Sequence, residues 1–282
     1  MLRLINEPTA AAMAAGLHKI DDEKNVLVFD FGGGTFDISI LCVSEGVLDV
    51  QATRGDMNLG GRDIDEKLVD YCVEQFKESS GINLREKQYK DAIRRLTQEC
   101  ERAKITLSEQ FDAEIRVSSI AVDQDLNVAI GRDKLEELAE DIFERLEAPV
   151  DNALEEASMG KDEIDIILLV GGSTRIPRVQ QWLKEYFEDE DGEKINTDVN
   201  PDEAVAEGAT IMAGILSDQI TAAGDDEPDN ENVGGFVKPI VSDVQPLSIG
   251  IELAGNKVSK LIKAHSTIPC EAIKTYVTSQ DN

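Results

Sequence analysis

The feature that most limits the possible folds is a pair of buried-looking strands, far apart in sequence, that each run into a glycine-rich turn. Asn25-Val-Leu-Val-Phe-Asp30 leads into Phe31-Gly-Gly-Gly-Thr-Phe-Asp37, and Ile164-Asp-Ile-Ile-Leu-Leu-Val170 leads into Gly171-Gly-Ser-Thr-Arg-Ile-Pro177. Turns rich in free backbone N–H groups are a common way of holding phosphates. Two of them in one chain point to a nucleotide clamped between two halves of a domain.

The 282 residues, 41% of them hydrophobic, are enough for one or two domains with a real core. A net charge of −29, from 28 basic and 57 acidic residues, argues against nucleic-acid binding, because nothing forms a basic patch. The acidity reads as a well-solvated surface. Cys42, Cys72, Cys100 and Cys270 are scattered without a Cys-x-x-Cys pair, which suits buried thiols in a reducing compartment. His18 and His265 are too few and too far apart for a metal cluster or a catalytic triad, and both are expected at the surface. No window approaches the roughly 18 apolar residues that a membrane span needs. No basic, then apolar, N-terminal pattern marks a signal peptide. The expected location is cytoplasmic, with no membrane partner.

Along the chain, residues 1–5 read as the end of a strand. A helix then opens at Asn6-Glu-Pro8, built from Ala10, Ala11, Ala12, Ala14 and Ala15, and ends at Gly16. So many small residues allow another element to approach closely. Residues 25–54 read as a strand meander, so the first glycine turn joins two strands and is not a P-loop. Ile64, Leu68, Cys72 and Phe76 keep a helical step that Gly81 closes, and a second helix covers roughly 86–108. A two-strand stretch follows, with Ile115, Val117, Ile120 and Val122 facing Val128 and Ile130. One long acidic helix is expected over 132–158, and another from Asn200-Pro-Asp202 to about Leu216. The acidic, glycine-bearing stretch within 219–243 reads as a flexible linker. Strands are expected at 247–251, 257–262 and 272–279, a marginal unit by itself.

Several residues in these elements can carry chemistry. Consecutive glycines can turn their N–H groups toward one point, and Thr35 adds a hydroxyl, although single turns of this kind are often plain hairpins. Asp30 and Asp37 bracket the turn and can hold Mg²⁺, through water. On the second long helix, Leu96, Cys100, Ala103 and Leu107 share one face, and Glu101, Lys104, Ile105 and Ser108 share the opposite one. That second face is either a solvated Glu101–Lys104 pair with a stray isoleucine or a wall for a nucleoside. Arg175 precedes a helix start at Pro177 and can stack on a purine. Asp202 is either a helix-dipole partner or a ligand to a ribose or base, and Glu7 either a helix-start residue or a carboxylate beside a metal.

These motifs in this order closely resemble those of the DnaK-type seventy-kilodalton heat-shock chaperone family. They are Ile5-Asn-Glu-Pro-Thr-Ala-Ala-Ala12, Asp30–Asp37, Leu59-Gly-Gly61, Glu101-Arg-Ala-Lys104, Val170–Pro177, Asn200–Val205 and Pro246–Ile251. The resemblance implies an α/β fold: an actin-like ATPase lobe, with a mixed sheet, flanking helices and a helical subdomain at about 60–138. This lobe spans 1–218, and an incomplete β-sandwich for peptide begins at 244–282. It implies ATP or ADP with Mg²⁺ as cofactors. Phosphate and nucleoside would meet Gly32, Gly33, Gly34, Thr35, Gly61, Glu101, Lys104, Ile105, Ser108, Gly171, Gly172, Ser173, Thr174, Arg175 and Asp202. Glu7, Asp30, Asp37 and Thr35 would act in catalysis, with Asp30 and Asp37 near the metal. Unfolded polypeptide clients, J-domain co-chaperones and nucleotide-exchange factors are the implied partners.

The pattern departs from the family's in three places. The family's first phosphate loop and catalytic lysine have no counterpart in the sequence, so impaired hydrolysis is expected. The family's leucine-rich linker reads Val237-Lys-Pro-Ile-Val-Ser-Asp243, where Lys238 and Pro239 weaken a docking strand. Ala254 stands where a methionine is typical, in a sandwich that stops after about three strands. The main expectation is a fragment of an ATP-driven folding chaperone. The alternatives are a catalytically impaired module that binds co-chaperones or exchange factors, and a small-molecule kinase of the wider actin-like superfamily.

Overall fold

The computed structural model describes residues 2–121, 124–217, 240–245, 247–264 and 266–277. Helix α1 (Glu7–Ala14) is followed by the meander β1 (Lys24–Phe31), β2 (Phe36–Ser44) and β3 (Val47–Asp56). Helices α2 (Gly61–Ser80) and α3 (Lys90–Glu109) then lead to the hairpin β4 (Asp112–Ala121) and β5 (Gln124–Gly131). Three short helices come next, α4 (Arg132–Leu138), α5 (Glu140–Glu144) and α6 (Glu147–Ala157). After them run β6 (Ile166–Val170), α7 (Pro177–Tyr186), β7 (Ile195–Asn196) and α8 (Ala204–Leu216). The C-terminal strands are β8 (Ile240–Val244), β9 (Ile249–Leu253), β10 (Lys257–Ile262) and β11 (Thr267–Ile268).

Strand β1 organises the whole, because its side chains are buried on both faces and alternate between two cores. Leu27, Phe29 and Phe31 join one core with Phe36, Ile38 and Ile40, covered by α2, α3, α6 and α7. Val26 and Val28 join the other with Leu41 and Val43, covered by α1 and α8. Among the described residues the sheet has seven strands in the order β11-β8-β3-β2-β1-β6-β7. The meander pairs antiparallel, whereas β6 runs parallel to β1 and β8 parallel to β3. This is the mixed, helix-flanked α/β architecture expected of an actin-like lobe.

The alanine-rich face of α1 does what its small side chains allow. It packs on α8, where Gly208 comes so close that a Cβ atom would stand 1.7 Å from the Ala10 carbonyl oxygen. The meander, α2 with its buried Ile64, Leu68, Cys72 and Phe76, and α3 with its buried Leu96, Cys100, Ala103 and Leu107 lie where the sequence pattern puts them.

Elsewhere the structure corrects the sequence reading. Residues 2–5 form no strand; Leu2 and Leu4 are exposed, and among the described residues nothing pairs with that backbone. The expected helix over 132–158 is three helices. Pro149 has no N–H to give the Arg145 carbonyl, so it is accommodated only in the first turn of a fresh helix, α6. Residues 272–277 are not in a ladder; Lys274 Nζ and Tyr276 Oη instead bond to Ser259 Oγ, each at 2.9 Å. His18 is buried rather than at the surface, and burial and the neighbouring Lys19 lower its pKa. Cys270 is exposed, while Cys72 and Cys100 are buried thiols. Residues 240–243, assigned to the linker, pair within the sheet through β8. Lys238, Pro239, the acidic stretch before them, Val122 and His265 lie outside the described residues.

Replacing Gly208 by valine sets two effects against each other. Helix propensity favours the substitution by less than about 1 kcal/mol, whereas overpacking at a backbone contact costs typically 1–3 kcal/mol, here at least about 2. Urea unfolding should show Gly208→Val less stable than the parent chain; an unchanged or higher midpoint would mean that α1 and α8 do not pack this closely.

Candidate functional site

The parallel register of β1 with β6, with Asp30 opposite Val170, brings both glycine turns out at one edge of the sheet. The first closes tightly, the Gly32 N–H donating to the Thr35 carbonyl at 3.1 Å. The Gly32 carbonyl then accepts two bonds, from the Gly61 N–H at 3.0 Å and from Ser173 Oγ at 2.9 Å. The Gly33 carbonyl accepts from the Arg62 N–H at 2.9 Å, so α2 starts directly against the turn. The second turn needs Gly171 for two reasons. Its φ is +84°, and a Cβ would stand 2.5 Å from the Phe31 carbonyl oxygen. Thr174 is fully buried and donates to the Gly171 carbonyl at 2.7 Å, and the Gly171 N–H bonds Pro201. Gly32, Gly61, Gly171 and Thr174 therefore build the junction, and Gly33, Gly34 and Thr35 stand exposed at its tip.

Beside this junction lies a cavity of about 640 Å³. The α3 face contributes Glu101, Lys104, Ile105 and Ser108; the turns contribute Gly33, Gly172, Ser173 and Arg175, and the α8 approach contributes Asp202. Nine expected residues thus converge from four places in the sequence. Lys104 does not pair with Glu101. It lies with Asp65 at 2.8 Å, the two side chains 12% and 6% exposed, and donates to the Gly61 carbonyl at 3.0 Å. Burial raises the Asp65 pKa, and Lys104 opposes this. Arg175 is clamped by Asp202, Nε to Oδ2 at 3.1 Å, and by Asn200 Oδ1 at 2.6 Å, which fixes the plane of its guanidinium. Ile105 remains 58% exposed, an apolar surface facing a polar cavity. Glu109, Ile176 and Gln180 also line the cavity and were not expected. Glu109 follows Ile105 by one helical turn, so the periodicity of α3 contained that signal.

The carboxylates gather on the other face of the sheet. In β1 the even-numbered side chains face α1, and the hairpin register sets Asp30 directly opposite Asp37. Glu7, the first residue of α1, completes the group around a second cavity of about 410 Å³. Asn6, Ser39 and Thr53 line it too, and Asp243, Gln245 and Ile268 reach it from the C-terminal strands; none of these was expected. Burial, then Glu7 and then Asp37, push the Asp30 pKa up to about 7. Burial raises that of Asp37 as well, against a hydrogen bond from Thr35 that lowers it. Among the described residues no group of three or more His, Cys, Asp or Glu side chains forms a cation cage. A Mg²⁺ ion fits this donor set only with water or phosphate oxygens completing its shell. No helix among the described residues is long and apolar enough to cross a membrane.

A family model described as Hsp70 protein matches residues 1–282. A heat shock 70 kDa protein of Neurospora crassa is 43% identical over 283 aligned residues, covering 100% of this chain and 41% of that protein. The chain therefore spans less than half the length of this relative.

The raised pKa of Asp30 makes stability depend on pH. A carboxyl that holds its proton more tightly when folded favours folding most below its ordinary value of 3.8, and this contribution is lost as pH rises through about 7. Asp30→Asn removes the loss. Without Mg²⁺ or nucleotide, the variant should gain on the parent between about pH 4 and pH 8, by up to roughly 1.4 kcal/mol per pH unit separating the two pKa values. A stability difference that does not change with pH would contradict the burial of this carboxyl.

Proposed function

Because the chain belongs to the Hsp70 family, we propose that it provides a nucleotide-binding lobe of an ATP-dependent protein-folding chaperone. The observation that carries this reading is the double use of the Gly32 carbonyl, which ties both glycine turns and the start of α2 to one point beside the α3 wall. A phosphate tail belongs at Gly33, Gly34, Thr35, Gly172 and Ser173. The nucleoside belongs between α3 and Arg175, where Ile105 offers apolar surface to a ring and Glu101, Lys104, Ser108 and Asp202 offer polar groups. Glu7, Asp30 and Asp37 would hold Mg²⁺ and order water around it; the ion, when bound, neutralises phosphate charge.

In the whole protein this lobe would bind ATP, and hydrolysis would drive capture and release of unfolded polypeptide. J-domain co-chaperones and nucleotide-exchange factors are the proposed partners, and the cytoplasm the proposed location. The 43% identity to a heat shock 70 kDa protein supports the reading.

Calorimetric titration of the chain with ADP and Mg²⁺ tests it. Binding is expected, weakened about tenfold in Arg175→Ala by the loss of a cation–π contact worth 1–2 kcal/mol. No heat of binding, or equal affinity for ADP and for a pyrimidine nucleoside diphosphate, would overturn the assignment.

A further inference from the structure

Helix α3 supplies one side of the proposed nucleoside site, yet its last turn, Thr106-Leu-Ser-Glu109, contains no basic residue to meet its free carbonyls. The Gln110 N–H satisfies only Thr106 O, at 2.8 Å. The Leu107 and Ser108 carbonyls meet a residue from the far side of the β4–β5 hairpin. Arg132 Nε donates to the Leu107 carbonyl at 2.7 Å, and its terminal nitrogen donates to the Gln110 carbonyl at 3.0 Å and, more weakly, to Ser108 at 3.4 Å. The Arg132 N–H bonds Phe111 O at 2.8 Å, and the guanidinium lies 4.6 Å from the centre of the Phe111 ring. A single side chain thus meets two of the helix's last carbonyls, and that of Gln110 just beyond them, with a full positive charge.

The position of that helix end matters because Ser108 and Glu109 line the cavity there, with Ile105 one turn earlier. Lys104 anchors the middle of the wall through Asp65 and the Gly61 carbonyl. In the final turn Leu107 is buried in the core, and Arg132 is the charged side chain that bonds the carbonyls there. We propose that Arg132 is a positioning residue for the nucleoside side of the cavity: it touches no ligand and sets Ser108 and Ile105 in place to meet one. This rests on the nucleotide reading of the cavity given above. The phosphate side is held independently, through Gly32 and Gly33, so Arg132 bears on one half of the ligand only.

The split makes the role testable with two partial ligands, adenosine and inorganic tripolyphosphate with Mg²⁺, titrated separately into the parent chain, Arg132→Ala and Arg132→Lys. Charge-assisted bonds of this kind contribute enough that adenosine affinity should fall at least about tenfold in Arg132→Ala. Lysine keeps the charge without the fork, so Arg132→Lys should recover part of the loss. Tripolyphosphate affinity should not change in either variant. Unaltered adenosine binding in both variants, or equal losses for both ligands in a chain that circular dichroism shows to be folded, would overturn the proposal. Should Arg132→Ala fail to fold, Arg132→Lys carries the same comparison. Failure of the parent chain to bind ADP would instead sink the underlying nucleotide reading, and this inference with it.

Discussion

The pairing of β1 with β6 is the constraint on which the rest depends. Among the described residues it is the link in the sheet that joins the meander to β6 and β7, and its register carries Asp30 to the level of Val170. Both strands are buried, so a slip by one residue would turn a whole set of apolar side chains to the wrong core. Fixing the register fixes the turns. The Gly32 carbonyl then lies within reach of Ser173 Oγ and the Gly61 N–H at once. Everything that follows at the site, from the start of α2 to the placement of α3, is built outward from that oxygen.

The two faces of the sheet are put to different use. On one face the core is large and aromatic, and its helices present a polar wall to a cavity. On the other, small side chains let α1 and α8 lie close, which brings Glu7 against Asp30 and Asp37. Three acids around one partly buried cavity are destabilising at neutral pH, as the elevated pKa of Asp30 records. A cation or a polarised water at this cavity would offset that charge.

Much of this was legible in the sequence because it depends on local periodicity. The alternation in β1, the four-residue steps of α2 and the two-faced pattern of α3 each name their buried residues, and the α3 pattern also names four residues of the cavity wall. What could not be read depends on partners distant in sequence. Pairing of 240–242 with β3 is decided by a sheet edge, not by the composition of the segment. The Arg132 contacts span more than twenty residues, and the pairing of Lys104 with Asp65 rather than Glu101 is set by how α2 crosses α3. Pro149 stands inside the segment expected as one long acidic helix, and its missing N–H is what confines it to the first turn of α6. His18 looked like a surface residue because a lone polar residue carries no periodic signal.

The central claim is that both glycine turns and the α3 wall meet one ligand. The most direct measurement is an ¹⁵N-resolved NMR titration of the chain with ADP and Mg²⁺. The account expects concerted amide shifts at Gly33, Gly34, Gly172 and Ser173, together with shifts at Glu101, Ile105 and Ser108, all with one saturation curve. Shifts confined to one turn, or centred on the β9–β10 hairpin, would contradict it.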